Sequence, residues 1–170
     1  HFVPIKSSDK IIQDTSIQID RCIKALKIDN CAINADFIIK DNEVYVLEIG
    51  ARAGATCLVE LVSIYYNFDY YKKIIDVAFG EKVDFSSEFT TPNASKLLIS
   101  NKTGILKGII LPSINKNIYE TLVDYEIGEK VNKFNVGPDR IGHIITKGET
   151  LDEALKILND YISKVRIEIE

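Results

Sequence analysis

The sequence predicts a mixed α+β protein in two units, and three observations carry that reading. Strand-like runs rich in β-branched and aromatic residues, such as Ala32 to Ile39 and Val44 to Ile49, share the chain with a stretch of helical spacing between Ser8 and Lys27. A second set of strand-like runs after Ala94 ends in a helix with a start signal of its own. Between the two sets, Glu81 to Asn93 brings polar residues, a change of charge and Pro92, which together mark a linker. The predicted division is 1–90 and 91–170.

In the first unit, Ser8 or Asp9 caps a helix running to about Lys27, with Ile12, Ile19, Ile23 and Leu26 near one face. Asp41-Asn42-Glu43 joins the next two runs as a three-residue turn, which makes them a hairpin. Cys57 to Tyr66 is apolar enough for a buried helix, and Asp69 caps another that ends before Gly80. The aromatic residues Tyr65, Tyr66, Phe68, Tyr70 and Tyr71 fall in this helical context, which favours packing over base stacking. In the second unit, Lys96 to Ser100, Gly104 to Leu111, Thr121 to Ile127 and Ile141 to Ile145 read as strands. Thr150-Leu151-Asp152-Glu153 is a capping box for a helix that buries Leu151, Ala154, Leu155, Leu158 and Ile162, and Val165, Ile167 and Ile169 alternate as a last strand.

Chemistry concentrates in the hairpin. If Lys40 pairs with Val44, Asp36 falls opposite Glu48 with Cβ atoms about 5 Å apart, on a face shared with Ile38, Val44 and Val46. Like charges at that distance repel, and a bound cation resolves the conflict. Oxygen-only donors with open positions suit Mg²⁺ that completes its shell with water and nucleotide phosphates. Arg52, four residues past Glu48, offers a fixed fork of donors for phosphate or acyl-phosphate oxygens. A plain surface acid pair is the alternative, and a slip of one residue would send the two acids to opposite faces.

The stretch Asn34-Ala35-Asp36-Phe37-Ile38-Ile39, a short turn, and Val44-Tyr45-Val46-Leu47-Glu48-Ile49-Gly50-Ala51-Arg52 resembles the metal-binding hairpin of the ATP-grasp superfamily. That superfamily includes D-alanine:D-alanine ligase, biotin carboxylase, carbamoyl phosphate synthetase and L-amino acid ligases. The resemblance implies that Asp36 and Glu48 hold Mg²⁺, with Mn²⁺ as an alternative, against the phosphates of ATP. It implies that Arg52, in a Glu-x-x-x-Arg arrangement like that of the amino acid ligases, binds phosphate or the acceptor carboxylate. Many members carry a ligating Asn two residues after the Glu; here that position is Gly50, which removes one ligand. His1-Phe2-Val3-Pro4 resembles the segment before the metal strands, and residues after about Thr91 resemble, more loosely, the small C-terminal domain.

The implied fold is the C-terminal half of an ATP-grasp domain, an antiparallel sheet with helices, followed by a small α/β sandwich. The implied activity is that of an ATP- and Mg-dependent carboxylate-amine ligase acting through an acyl phosphate. Its partners would be ATP, a small carboxylate and an amine or other nucleophile, and a homodimer is compatible. The chain would be the C-terminal part of a longer enzyme and inactive by itself. A non-catalytic regulatory or dimerisation module of the same ancestry is the main alternative, and a phosphohydrolase using the same acids is another.

Composition excludes other classes. With 46 % hydrophobic and 27 % charged residues the 170-residue chain can bury a core, and a net charge of -4 without a basic run argues against nucleic acid. No apolar stretch of about 20 residues is present to span a membrane, so a cytoplasmic setting is the default. Cys22, Cys31 and Cys57 are odd in number and lack CxxC spacing, so they read as small core residues. Gly50 to Ala55 reads as a tight turn of small residues, without the Lys-Ser/Thr of a phosphate loop. Glu60 reads as a helix-surface acid, Arg140 as a loop residue in an ion pair and His143 as a strand residue.

Overall fold

The structure is a computed structural model describing residues 1–170. Its elements, in chain order, are strand β1 (Phe2–Val3), helix α1 (Asp9–Leu26), strands β2 (Asn34–Lys40) and β3 (Glu43–Gly50), and helices α2 (Leu58–Tyr66) and α3 (Tyr70–Ala78). Strands β4 (Asn93–Leu98), β5 (Gly104–Ile110), β6 (Ile118–Val123), β7 (Lys130–Val131) and β8 (Gly142–Lys147) follow, and then helix α4 (Leu151–Lys164) and strand β9 (Arg166–Ile169). The mixed α+β class is as predicted. The chain divides into one unit of His1–Pro4, Ile64–Asn67 and Glu88–Glu170, and another of Ile5–Ser63 and Phe68–Ser87.

In the unit that holds the hairpin, Ser8 caps α1 by accepting a hydrogen bond from the Ile11 amide, and Lys27 ends the helix in the left-handed conformation. The inward face of α1 runs through Ile11, Ile19, Cys22 and Ile23; Ile12 and Leu26 point outward, against expectation. The apolar stripe is broader than one face, and packing against β3 selects which part of it is covered. Asp69 caps α3 by accepting from the Lys72 amide, as its sequence position predicts. Phe68, Tyr70 and Phe85 form an aromatic cluster at centroid separations of 6.1 to 6.3 Å, with the Lys73 ammonium 4.9 Å from the Phe68 ring.

The other unit contains an antiparallel sheet in the order β1-β4-β8-β6 and a three-stranded sheet β7-β5-β9. Its core gathers Ala94, Leu98, Leu106, Ile118, Val131, Ile141, Ile144, Leu158 and Tyr161. Thr150 caps α4 through the Glu153 amide at 3.2 Å, while the Glu153 carboxylate accepts from the Glu149 amide at 2.8 Å, one residue earlier than in a reciprocal capping box. Leu151, Ala154, Leu158 and Tyr161 are buried, whereas Leu155 and Ile162 lie at the edge of the helix contact and are half-buried. Strand β6 starts three residues earlier than predicted and stops at Val123, because Asp124 to Gly128 must turn back: the Gly128 amide bonds the Leu106 carbonyl with φ of 98°.

Candidate functional site

Two features of the hairpin depart from the sequence reading, and they cancel. The turn has two residues, Asp41 and Asn42, with φ of 52° and 60°, so Lys40 pairs with Glu43 instead of Val44. Asn and Asp tolerate the left-handed region that a twist-matched two-residue turn needs, which explains why this shorter turn wins over three residues. Kept throughout, that register would set Asp36 opposite Leu47. A β-bulge intervenes: Phe37 pairs with Val46, and the next pair is Asp36 with Glu48, leaving Leu47 unmatched.

The two acids are therefore opposite, as predicted, but in different company. Val44 and Val46 lie on the half-buried face of β3, not beside the acids. The face that carries Asp36 and Glu48 also carries Ile38, Tyr45 and Leu47, which are 49 %, 48 % and 61 % exposed. The phenol of Tyr45 donates to Glu43 at 2.7 Å, and that carboxylate holds its pKa above the ordinary 10.0. The Lys10 ammonium of α1 bonds the Asn42 carbonyl at 3.1 Å, so the helix end fastens the turn.

Beyond Glu48 the same face continues with the pair Asn34 and Gly50. Asn34 is half-buried and its amide donates to Asp36 Oδ1 at 3.5 Å. The side chain of Arg52 folds back over Gly50, such that a Cβ on that glycine would lie 3.7 Å from Arg52 Cγ and 3.9 Å from its Nε. Its guanidinium also donates to the Ala53 carbonyl at 2.9 Å. Asp36, Glu48 and Arg52 are all exposed, free to meet a ligand.

Asn34 belongs to the hairpin segment Asn34 to Ile39, but no local pattern gave it a role. Its signal was the two-residue spacing from Asp36, which puts both on one face. Nowhere do three or more His, Cys, Asp or Glu side chains gather as a metal-binding group. Two carboxylates beside a carboxamide nevertheless form an all-oxygen donor set that suits a hard divalent cation.

The remaining candidates have local partners. Glu60 accepts from the Tyr71 hydroxyl at 2.5 Å. Arg140 pairs with Asp124 at 2.7 Å, and His143, only 5 % exposed on β8, places Nε2 2.7 Å from Glu120. Cys22 and Cys31 are half-buried and Cys57 is buried, and none of the three is joined in a disulfide. No helix is long and apolar enough to cross a membrane.

Comparison with known proteins gives this geometry a context. Residues 96–170 match the family described as L-amino acid ligase C-terminal domain 2. No curated protein sequence matches the chain. Among solved structures, phosphoribosylglycinamide synthetase from Anaerococcus prevotii is 38 % identical with a TM-score of 0.89, over 100 % of this chain and 45 % of its own. The L-amino acid ligase from Bacillus licheniformis aligns over 99 % of this chain and 43 % of its own, with a TM-score of 0.84 at 15 % identity. The biotin carboxylase domain dimer of the Hydrogenobacter thermophilus 2-oxoglutarate carboxylase, in complex with MgADP, ADP and bicarbonate, gives a TM-score of 0.76 at 14 % identity over 99 % and 38 %.

This chain spans less than half the length of each of these proteins. At identities near 15 % the likeness is one of fold; the first relative adds a shared sequence. The facing acids of the hairpin, the match over residues 96–170 and a 38 % identical relative that shares the fold from end to end place this chain in the ATP-grasp superfamily, as a C-terminal part of such a protein.

Proposed function

We propose that this chain is the C-terminal part of an ATP- and Mg-dependent carboxylate-amine ligase, and that Asp36, Glu48 and Arg52 are its contribution to the reaction. The observation that carries the reading is the pairing of Asp36 with Glu48 on an exposed face, in a hairpin of the ATP-grasp type. The two carboxylates would hold Mg²⁺, or Mn²⁺ in its place, where ATP presents its phosphates. When bound, the cation neutralises phosphate charge and draws electron density from the transferring group.

The reaction has two stages. A carboxylate oxygen of the first substrate attacks the γ-phosphorus of ATP, the bond to the bridging oxygen breaks and ADP leaves. The amine then attacks the acyl carbon, a C–N bond forms, inorganic phosphate departs and the amine proton passes to solvent or a base. Negative charge spreads over the equatorial oxygens in the first stage, and a guanidinium already in place stabilises it at little reorganisation cost. Arg52 fills that role on phosphate, or orients the acceptor carboxylate. Its position over Gly50, on the face of Glu48, supports the assignment.

The complete protein would work as a cytoplasmic enzyme, compatible with a homodimer, on a small carboxylate and an amine or other nucleophile. The isolated chain would be inactive, because the nucleotide site of such ligases is shared with a further part of the protein. The test is calorimetric titration of the complete protein with ADP, with and without Mg²⁺, for wild type and Asp36→Asn/Glu48→Gln. Metal-dependent binding that disappears in the double variant supports the ligase reading. Binding that ignores the metal, or no binding, favours a non-catalytic module.

A further inference from the structure

We propose that Asn34 is the third side chain of the cation site, supplying from β2 the carboxamide that β3 lacks at Gly50. The inference rests on the ligase reading above and deepens it.

Four observations converge. Asn34 and Gly50 are facing partners in the hairpin, so a side chain on either strand at this level projects over the same patch. Asn34 lies two residues from Asp36 on one face, and its Nδ2 is 3.5 Å from Asp36 Oδ1. Gly54 leaves room for it: a Cβ there would lie 2.8 Å from Asn34 Oδ1 and 2.6 Å from Leu58 Cδ1. Finally, no third acid joins Asp36 and Glu48, so a neutral oxygen is the donor this site has to offer.

The chemistry fits. A carboxamide has a donor end and an acceptor end, and a half-turn about its last torsion exchanges them. Without a cation, the NH₂ end faces the Asp36 carboxylate, the electrostatically favourable orientation. With a cation between Asp36 and Glu48, the Oδ1 end turns inward as a third hard ligand. An amide oxygen adds a ligand without a third negative charge, so nucleotide phosphates approaching the site meet less repulsion than they would beside another carboxylate.

The experiment uses the complete protein and reads free Mn²⁺ by electron paramagnetic resonance during titration in the presence of ADP. Asn34→Ala and the strand-favouring Asn34→Val should each weaken Mn²⁺ affinity about tenfold. Adding Gly50→Asn to Asn34→Ala should restore Mn²⁺ affinity, since a side chain at residue 50 meets only ordinary contacts with Arg52 at 3.7 and 3.9 Å. Two results overturn the proposal while leaving the ligase reading intact: wild-type Mn²⁺ affinity in both Asn34 variants when Glu48→Gln has lost it, or an Asn34→Ala defect that Gly50→Asn does not repair. Absence of metal-dependent binding in the wild type overturns both readings together.

Discussion

Asp36 faces Glu48 across the hairpin because Leu47 is bulged out of the ladder between them. In the register set by the Asp41-Asn42 turn, Asp36 would face Leu47, and Glu48 would face Ala35 and project to the opposite side of the sheet. One unmatched residue thus decides whether the two carboxylates share a face of the hairpin. Leu47 lies on the exposed face in either register and is 61 % exposed.

Removing either charge tests the site's chemistry. In the complete protein, Glu48→Gln or Asp36→Asn should lower kcat on the order of 100-fold or more, because an electrostatic contact made in the transition state is lost. Thermal stability should change little, since both side chains are exposed. Steady-state turnover and a melting curve check this together; near-normal turnover in Glu48→Gln would remove the metal-site assignment.

The turn that sets the register makes a second prediction. Asn42 holds φ of 60°, a conformation closed to β-branched residues. Asn42→Val should cost about 1–2 kcal/mol, and Asn42→Gly should leave stability equal or improved, because glycine enters the left-handed region freely. Denaturant unfolding of both variants provides the comparison. A stable Asn42→Val would mean that the loop can adopt another geometry.

Close strand approach gives a third. Gly142 on β8 pairs with Val123 on β6, and a Cβ there would press into the Leu122 carbonyl oxygen and come within 3.0 Å of the Val123 Cα. These are backbone atoms inside a ladder, so relief requires separating β6 from β8. Gly142→Ala should destabilise its unit by about 1–3 kcal/mol, the usual range for overpacking. The loss should appear as faster hydrogen exchange in β6 and β8, with the hairpin amides unaffected.

Acid should loosen one loop before the rest. Asp139 Oδ2 accepts from the Val136 and Asn135 amides, both at 3.1 Å, and these bonds hold its pKa below the ordinary 3.8. A depressed carboxylate contributes stability that is fully present above its unfolded pKa and lost as pH falls through the lower folded value. The Val136 and Asn135 amide resonances should therefore stay constant down to about pH 4 and shift below it. In Asp139→Asn the shift should vanish, since nothing is left to titrate at that position.

How much of this was legible beforehand depends on whether the signal was local. Ser8, Asp69 and Thr150 announce their helices because a cap acts within three residues of itself. The pairing of Asp36 with Glu48 was legible as spacing within a short contiguous hairpin. What the spacing hid was the route: a two-residue turn and a bulge reach the same pair that a three-residue turn and a regular ladder would. The two routes differ in where Val44 and Val46 go, and packing beside α1 favours the one that half-buries them.

The sequence by itself therefore determined the mixed class, the order of the helices and the facing of the two acids, since each rests on periodicity, caps or short-range pairing. The tertiary structure decided which face of α1 is covered and where β6 ends. It also set Asn34 opposite Gly50, in the room left by Gly54. Those outcomes depend on contacts between segments distant in the chain or on single-residue changes of register, and no local preference of the residues involved is strong enough to fix them.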